Sequence, residues 1–300
     1  MSPHDTAMFP SLPANLPWGQ VAALLLDGVT VESLLPKLYE WSSSPTVWPL
    51  YMHTRWKDLI DLSPCLIRLR GPDDPILLRF LNNAPQEWGY LIFSDLDWPS
   101  LTARMSWLAS VRHPTGEEAL LRLADPAVAH ALAGVAERNR DPDWFGPCST
   151  LVIPDERSDC WHLHRRPGPW TSVPPPRVPY QLGDAQIASL EEVSFRATVK
   201  ELDEHMRQFF PGYAAGLPRS ERWLHLNSLT SAAYESGFCS PHDITLYANI
   251  HGFLGPQALD DHPDIRELLA ETANQNPSQR LETAAHRAME RAASLSGRQG

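Results

Sequence analysis

The chain has 300 residues, with 36 acidic side chains against 25 Lys and Arg, so its formal net charge is −11. Nucleic acid is not an expected partner, because phosphate binding requires a concentrated basic surface. Hydrophobic residues make up 43% of the chain, which is enough for packed cores, and the length indicates two domains. The N-terminus contains proline and lacks the apolar core of a signal peptide, and the four cysteines are scattered, which together predict a cytoplasmic protein. No membrane span is expected, because the sequence has no run of about 18 apolar residues.

The first ninety residues alternate between strand and helix patterns. The apolar run 21–26 predicts a buried strand, and Thr30 is expected to cap an amphipathic helix that ends near Tyr39. Two more strands are predicted at 47–52 and 65–69, with helices at 54–62 and 73–81.

A second strand–helix series follows. The run 89–93 predicts a buried strand that ends at Ser94, whose spacing to Asp97 predicts a capping box for the next helix. The run 119–123 predicts another strand, and Asp125-Pro126 is the expected start of a helix, with aspartate as cap and proline in the first turn. This alternation predicts an α/β lobe over residues 1–166, a mixed sheet covered by helices.

The pattern changes after a proline-rich segment. Residues 167–179 are expected to be a linker, since proline removes backbone donors and favours extended conformations. Beyond it the periodicity is helical only, which predicts an all-α lobe over residues 180–300. A long helix should carry the apolar stripe of Ile187, Leu190, Val199, Leu202 and Met206, and further helices are expected at 220–236, 241–252, 263–274 and 277–294.

The best metal-binding pattern is the pair His162 and His164. In a strand, alternate residues point to the same face, so both imidazoles should lie on one side. Two ligands do not make a zinc site, and a structural or exposed pair is the favoured interpretation. No metal and no cofactor are therefore expected.

Cys239, Ser240, His242 and Asp243 place a thiol, a hydroxyl, an imidazole and a carboxylate in one short stretch. A helix start explains them better than nucleophilic catalysis, with Ser240 as cap and Pro241 in the first turn. The sequence contains no G-x-S-x-G, H-E-x-x-H, Walker or G-x-G-x-x-G motif, and we expect no enzymatic activity.

Several residues are candidates for partner binding. Arg122 and Asp125 have the spacing to form an ion pair where a strand turns into a helix; a capping aspartate beside a solvated arginine is the alternative. Tryptophans beside turns or prolines are suited to a binding cleft, although core packing is the commoner role. The predicted partner-binding residues are Trp98, Arg122, Asp125, Trp144 and Phe145.

In their order and spacing, five features resemble the N-terminal lobe of the effector chaperones, or adaptors, of the bacterial type VI secretion system. They are the Leu24–Gly28 stretch LLLDG, Ser94, Arg122, Asp125-Pro126 and Phe145-Gly146-Pro147. The resemblance implies a non-enzymatic cytoplasmic adaptor that binds the N-terminal portion of a specific secreted effector. It also implies that the adaptor then engages the VgrG spike or its PAAR tip.

Two other functions stay open at the level of sequence. One is a hydrolase with its site at the strand ends of the α/β lobe, using Asp27, Asp125, His162 or His164. The other is a general cytoplasmic scaffold.

Overall fold

The computed structural model describes residues 9–156, 158–170, 178–270 and 276–296. By its contacts the chain divides into two units, residues 1–193 and 194–300. The first carries sheets and helices and the second helices, which confirms the predicted fold class. Residues 171–177 of the predicted linker lie outside the described residues, so the linker at 167–179 stays a prediction. The boundary between the two units, drawn from the contacts within each, follows Val193. Over the described residues, no helix combines the length and the apolarity that crossing a membrane requires.

The first unit is built on a six-stranded sheet in which every pairing is antiparallel. The strand order is β2-β3-β1-β4-β7-β8, so β1 lies inside the sheet between β3 and β4. The strands are β1 Val21–Leu26, β2 Thr46–Pro49, β3 Cys65–Arg68, β4 Gly89–Ser94, β7 Cys148–Asp155 and β8 Cys160–Arg165.

Strand β1 is apolar throughout because both of its faces are covered. Ala23 and Leu25 belong to one hydrophobic core, and Ala22, Leu24 and Leu26 belong to another. Successive side chains of a strand point to opposite faces, so one core lies on each side of the sheet. A strand buried on both faces reads as a continuous apolar run, which is why its predicted bounds are correct.

A smaller three-stranded sheet has the order β6-β5-β9. Its strands are β5 Ser110–Arg112, β6 Glu118–Leu120 and β9 Tyr180–Gln181, and β5 pairs with β9 in parallel. Strand β9 follows the predicted linker but pairs with Val111 of the first unit. Leu182, just after it, is buried in the first unit's core.

Seven helical segments are described in the first unit before residue 184. The α-helices are α1 Leu34–Trp41, α2 Pro75–Leu81, α3 Trp98–Leu108, α4 Pro126–Asn139 and α5 Pro142–Phe145. Two 3₁₀ helices cover Lys57–Leu62 and Ala84–Gln86.

Two predicted helix starts are wrong. The Thr30 hydroxyl donates to Asp27 Oδ2 at 2.8 Å instead of capping a helix, and α1 begins only at Leu34. Ser94 ends β4, and its Oγ accepts from the Leu96 N–H at 3.1 Å. Helix α3 is capped instead by Asp97, whose Oδ1 accepts from the Ser100 N–H at 3.0 Å.

The described helices from residue 184 onward are the five that the sequence predicts, with shifted ends, and one short helix, Ala258–Asp261, that it does not predict. They are α6 Asp184–Phe209, α7 Arg219–Glu235, α8 Pro241–Leu254, α9 Ala258–Asp261, α10 Pro263–Ala270 and α11 Pro277–Ser296. Residues 271–274 of the predicted helix 263–274 lie outside the described residues. The start of α6 belongs to the first unit, where Ile187 and Leu190 pack on the core. Farther along α6, Val199 and Leu202 enter the core of the second unit.

Candidate functional site

Asp27 follows β1 directly and is only 4% exposed. Its carboxylate accepts hydrogen bonds from the Val29 N–H at 3.2 Å, the Thr30 hydroxyl at 2.8 Å and Arg122 Nη2 at 3.0 Å. A buried carboxylate is stable only when such donors replace water. Asp27 is therefore fixed in position at the end of the central strand.

Arg122 joins Asp27 to the start of α4. Its Nη1 lies 3.6 Å from Asp125 Oδ2, while Asp125 Oδ1 accepts from the Ala127 N–H at 2.9 Å. Asp125 is thus both the predicted helix cap and the predicted ion-pair partner of Arg122. We call Asp27, Thr30, Arg122 and Asp125 the Arg122 cluster.

The charges of the cluster stabilise one another. Burial lowers the pKa of the Arg122 guanidinium, but the carboxylates of Asp125 and Asp27 outweigh burial and raise that pKa above its ordinary value. Burial and then the charge of Asp27 raise the pKa of the neighbouring Tyr51 to about 12, with Arg122 opposing. At neutral pH, Arg122 is charged and Tyr51 is a neutral phenol.

The Arg122 side chain is 54% exposed although two carboxylates hold it. A guanidinium presents its donors in a planar fork that suits the carboxylates and carbonyls of a partner. Because Asp27 and Asp125 fix the fork, little side-chain entropy would be lost when a partner binds it. This cluster is the strongest candidate binding site among the residues predicted from the sequence.

Trp144 and Phe145 lie in the core, 3% and 1% exposed, so they offer no surface to a partner in this conformation. Trp98 is half-buried against the same core. The turn after Phe145 needs glycine: Gly146 has a φ of 54°, and a Cβ there would lie 2.7 Å from Arg104 Nε. Buried Arg104 donates to the carbonyl of Asp143 and lies over the Trp107 ring. The Phe145-Gly146-Pro147 motif is thus a structural turn built around an arginine.

His162 and His164 lie on one face of β8, as strand alternation predicts, and a third imidazole from α4 meets them there. Glu137 Oε2 lies 2.9 Å from His164 Nδ1, and because a carboxylate only accepts, His164 carries its proton on Nδ1. His164 Nε2 lies 2.8 Å from His130 Nδ1, and the His130 ring stacks on His162 with centroids 3.9 Å apart.

The imidazole group and Glu137 join β8 to α4. In the described parts of the chain, no group of three or more His, Cys, Asp or Glu side chains is arranged to hold a metal ion. His130 was missed at the level of sequence, although it lies seven residues before Glu137 on one helix face, a spacing that could have revealed it.

The predicted cap at Ser240 is confirmed: its Oγ accepts from the Asp243 N–H at 3.1 Å, and Pro241 occupies the first turn of α8. The residues of the alternative hydrolase fall into two groups. Asp27 and Asp125 share Arg122, whereas His164 is bonded to Glu137 and His162 lies 3.1 Å from Asp155.

The second unit holds a separate cavity of about 350 Å³. Gly252 makes room for its aromatic wall, since a Cβ there would lie 2.6 Å from the Phe210 ring. The lining residues are Phe210, Gly212, Tyr213, Ala214, Gly252, Gly255 and Pro256.

The protein consists of an α/β unit, in which Arg122 pairs with Asp27 and Asp125 at the end of the central strand, followed along the chain by a helical unit. Residues 24–140, which include the whole cluster, match the family model described as "Domain of unknown function (DUF4123)". Over 279 residues the chain is 27% identical to the accessory protein VasW of Vibrio cholerae serotype O1, covering 92% of this chain and 90% of VasW. No solved structure matches it.

These matches confirm the resemblance found in the sequence. Residues 24–140 match the DUF4123 model, and the similarity to VasW extends over both units of the chain.

Proposed function

We propose that this chain is a cytoplasmic adaptor of a type VI secretion system, which binds one specific effector and loads it onto the VgrG or PAAR spike. It acts by binding, without a catalytic step. The observation that carries the proposal is the extent of the similarity to VasW, a protein named as an accessory protein. That similarity spans 92% of the chain, so it includes both the α/β unit and the helical unit.

The Arg122 cluster supports a role in binding. Arg122 and Asp125 are the predicted partner-binding residues that combine solvent access with a fixed geometry. Trp98, half-buried, would contact the partner separately, because α3 begins just after Ser94, at the end of β4 that lies beside Val21 and away from Asp27; Trp144 and Phe145 would act from beneath by shaping the unit. A stable protein complex buries roughly 1,200–2,000 Å² in total, so the interface must extend well beyond these side chains.

The charge of the chain supports the choice of partner. A net charge of −11 favours association with a basic cargo and opposes association with acidic proteins. Long-range attraction of this kind mainly raises the association rate and weakens as salt is added.

The proposal is tested by co-expressing the chain with an effector encoded beside it, followed by size-exclusion chromatography. We expect one complex at micromolar concentration. Arg122→Ala should weaken it about tenfold or more if the fork contacts the effector. Arg55→Ala is the matched control, since Arg55 is an equally exposed arginine paired with Glu118. Separate elution of the two wild-type proteins would contradict the proposal.

A further inference from the structure

The 3₁₀ helix Lys57–Leu62 buries none of its residues, although its sequence is KDLIDL. Leu59 is 40% exposed and Leu62 is 48% exposed. A helical segment normally orders because it buries an apolar face. Here Leu59 and Leu62 are exposed and Ile60 is only half-buried, so the segment lacks the buried apolar face that usually stabilises a helix.

Two more exposed apolar side chains adjoin this helix. Gly28 packs against its end so closely that a Cβ would lie 2.5 Å from the Ser63 carbonyl oxygen and 2.8 Å from that of Leu62. The Tyr51 N–H donates to Ser63 Oγ at 3.1 Å. The next residues, Val29 and Met52, are 55% and 42% exposed.

Val29, Met52, Leu59 and Leu62 therefore lie on three segments of the chain that meet at the Leu62–Ser63 peptide. We call these four residues the apolar patch. Single exposed apolar residues are normal, but several together mark an interaction surface.

The loops that carry the apolar patch are fixed before any partner binds. Asp27 holds Val29 and Thr30 through the Arg122 cluster, and the Gly28 contact leaves no room for a side chain. Ser63 Oγ accepts from the Tyr51 N–H and donates to the Pro64 carbonyl at 3.0 Å. A preformed surface loses little entropy on binding, which favours affinity.

The charges around the apolar patch select its occupant. Glu32, Asp58 and Asp61 are exposed on the same two segments. The exposed cations beside them are Lys57 of the 3₁₀ helix and Arg55 just before it, and Arg55 is paired with Glu118. The nearby Arg122 is already offset by Asp27 and Asp125. An apolar centre with an acidic rim is complementary to an apolar stripe flanked by lysine or arginine.

We propose that the apolar patch is the docking surface for a basic amphipathic helix of the effector. This inference rests on the proposed adaptor function and specifies where the cargo binds and what chemistry it presents. The apolar stripe of the helix covers Leu59 and Leu62, and its basic flanks face Asp58 and Asp61.

The test uses an 18-residue synthetic helix with leucines on one face and lysines on the other, followed by fluorescence anisotropy with the full chain. A peptide of the same composition with a scrambled order removes the apolar stripe and keeps the charge. Leu59→Ser/Leu62→Ser removes half of the apolar patch, and because both residues are exposed the variant should fold. Leu78→Ser is the matched control, since Leu78 is 46% exposed on α2.

We expect the amphipathic peptide to bind the wild type and Leu78→Ser equally. Leu59→Ser/Leu62→Ser should weaken binding about tenfold, and scrambling the peptide should have a similar effect. Asp58→Asn/Asp61→Asn should reduce the salt dependence of binding. Equal binding to all variants, or no binding of the amphipathic peptide to the wild type, would overturn the proposal. Sedimentation with phosphatidylcholine vesicles that is lost in the double serine variant would also overturn it, because the surface would then be a membrane contact.

The same variants separate this inference from the proposed function. If the wild-type chain forms no complex with the effector, the adaptor function is contradicted. If the wild type and Leu59→Ser/Leu62→Ser bind the effector equally well, the adaptor function stands and the docking surface is wrong.

Discussion

At the scale of single residues, the Arg122 cluster joins positions far apart in the chain. The pair Arg122 and Asp125 could be predicted because the two residues are three apart, next to a recognisable helix start. The stronger contact, from Arg122 to Asp27, could not, because it spans 95 residues and depends on the strand order of the sheet. The wrong cap at Thr30 has a different cause, because its acceptor Asp27 is only three residues away: a threonine hydroxyl suits a turn as well as a helix cap, and the local sequence does not decide between them.

The Asp27–Arg122 contact can be measured with a double-mutant cycle. Asp27→Asn should cost about 1–3 kcal/mol of unfolding free energy, because hydrogen bonds to a charged group are lost. Arg122→Ala should cost a similar amount, since it leaves a buried carboxylate without its cation. The double variant should cost at least about 0.5 kcal/mol less than the sum of the two.

Urea unfolding of the four proteins gives these values. Arg55→Ala is the control, and its largely exposed pair with Glu118 should change stability by less than about 1 kcal/mol. Strictly additive losses for Asp27→Asn and Arg122→Ala would show that the two side chains do not stabilise each other.

At the scale of elements, the sequence correctly predicts the start of a helix where only one nearby residue can act as the N-cap. Asp125-Pro126 and Ser240-Pro241 start α4 and α8 as expected. The start of α3 was misplaced because Ser94 and Asp97 are both good caps, and sequence alone did not decide between them. The turn at Gly146 was recognisable, but the arginine that lies against it arrives from α3 and had no local signal.

Gly146→Ala tests the turn. We expect a loss of about 1–3 kcal/mol in unfolding free energy, because alanine disfavours a φ of 54° and its Cβ would overlap Arg104. Gly134→Ala is the matched control on α4, where the new Cβ would meet only the flexible end of Arg138 at 3.3 Å. That change should be neutral or stabilise the helix by up to about 1 kcal/mol. Equal thermal stability of Gly146→Ala and the wild type would contradict this description of the turn.

At the scale of the whole molecule, the sequence predicted an α/β part followed by a helical part, because hydrophobic periodicity changes along the chain. Strand β9 was not predicted, since two residues after a proline-rich segment carry no periodic pattern. The stripe on α6 was predicted as one surface, yet its first residues pack in one unit and its later residues in the other. Which unit each residue of the stripe packs against depends on tertiary contacts, and these cannot be predicted from helical spacing alone.

In the function that we propose, the chain connects an effector to the secretion spike. The most direct measurement is size-exclusion chromatography of purified effector and VgrG, or its PAAR tip, with and without this chain. We predict that the effector elutes with the spike protein only when the chain is present, and that Arg122→Ala reduces this fraction while Arg55→Ala does not. Equal co-elution of effector and spike without the chain, or no co-elution with it, would contradict the adaptor function.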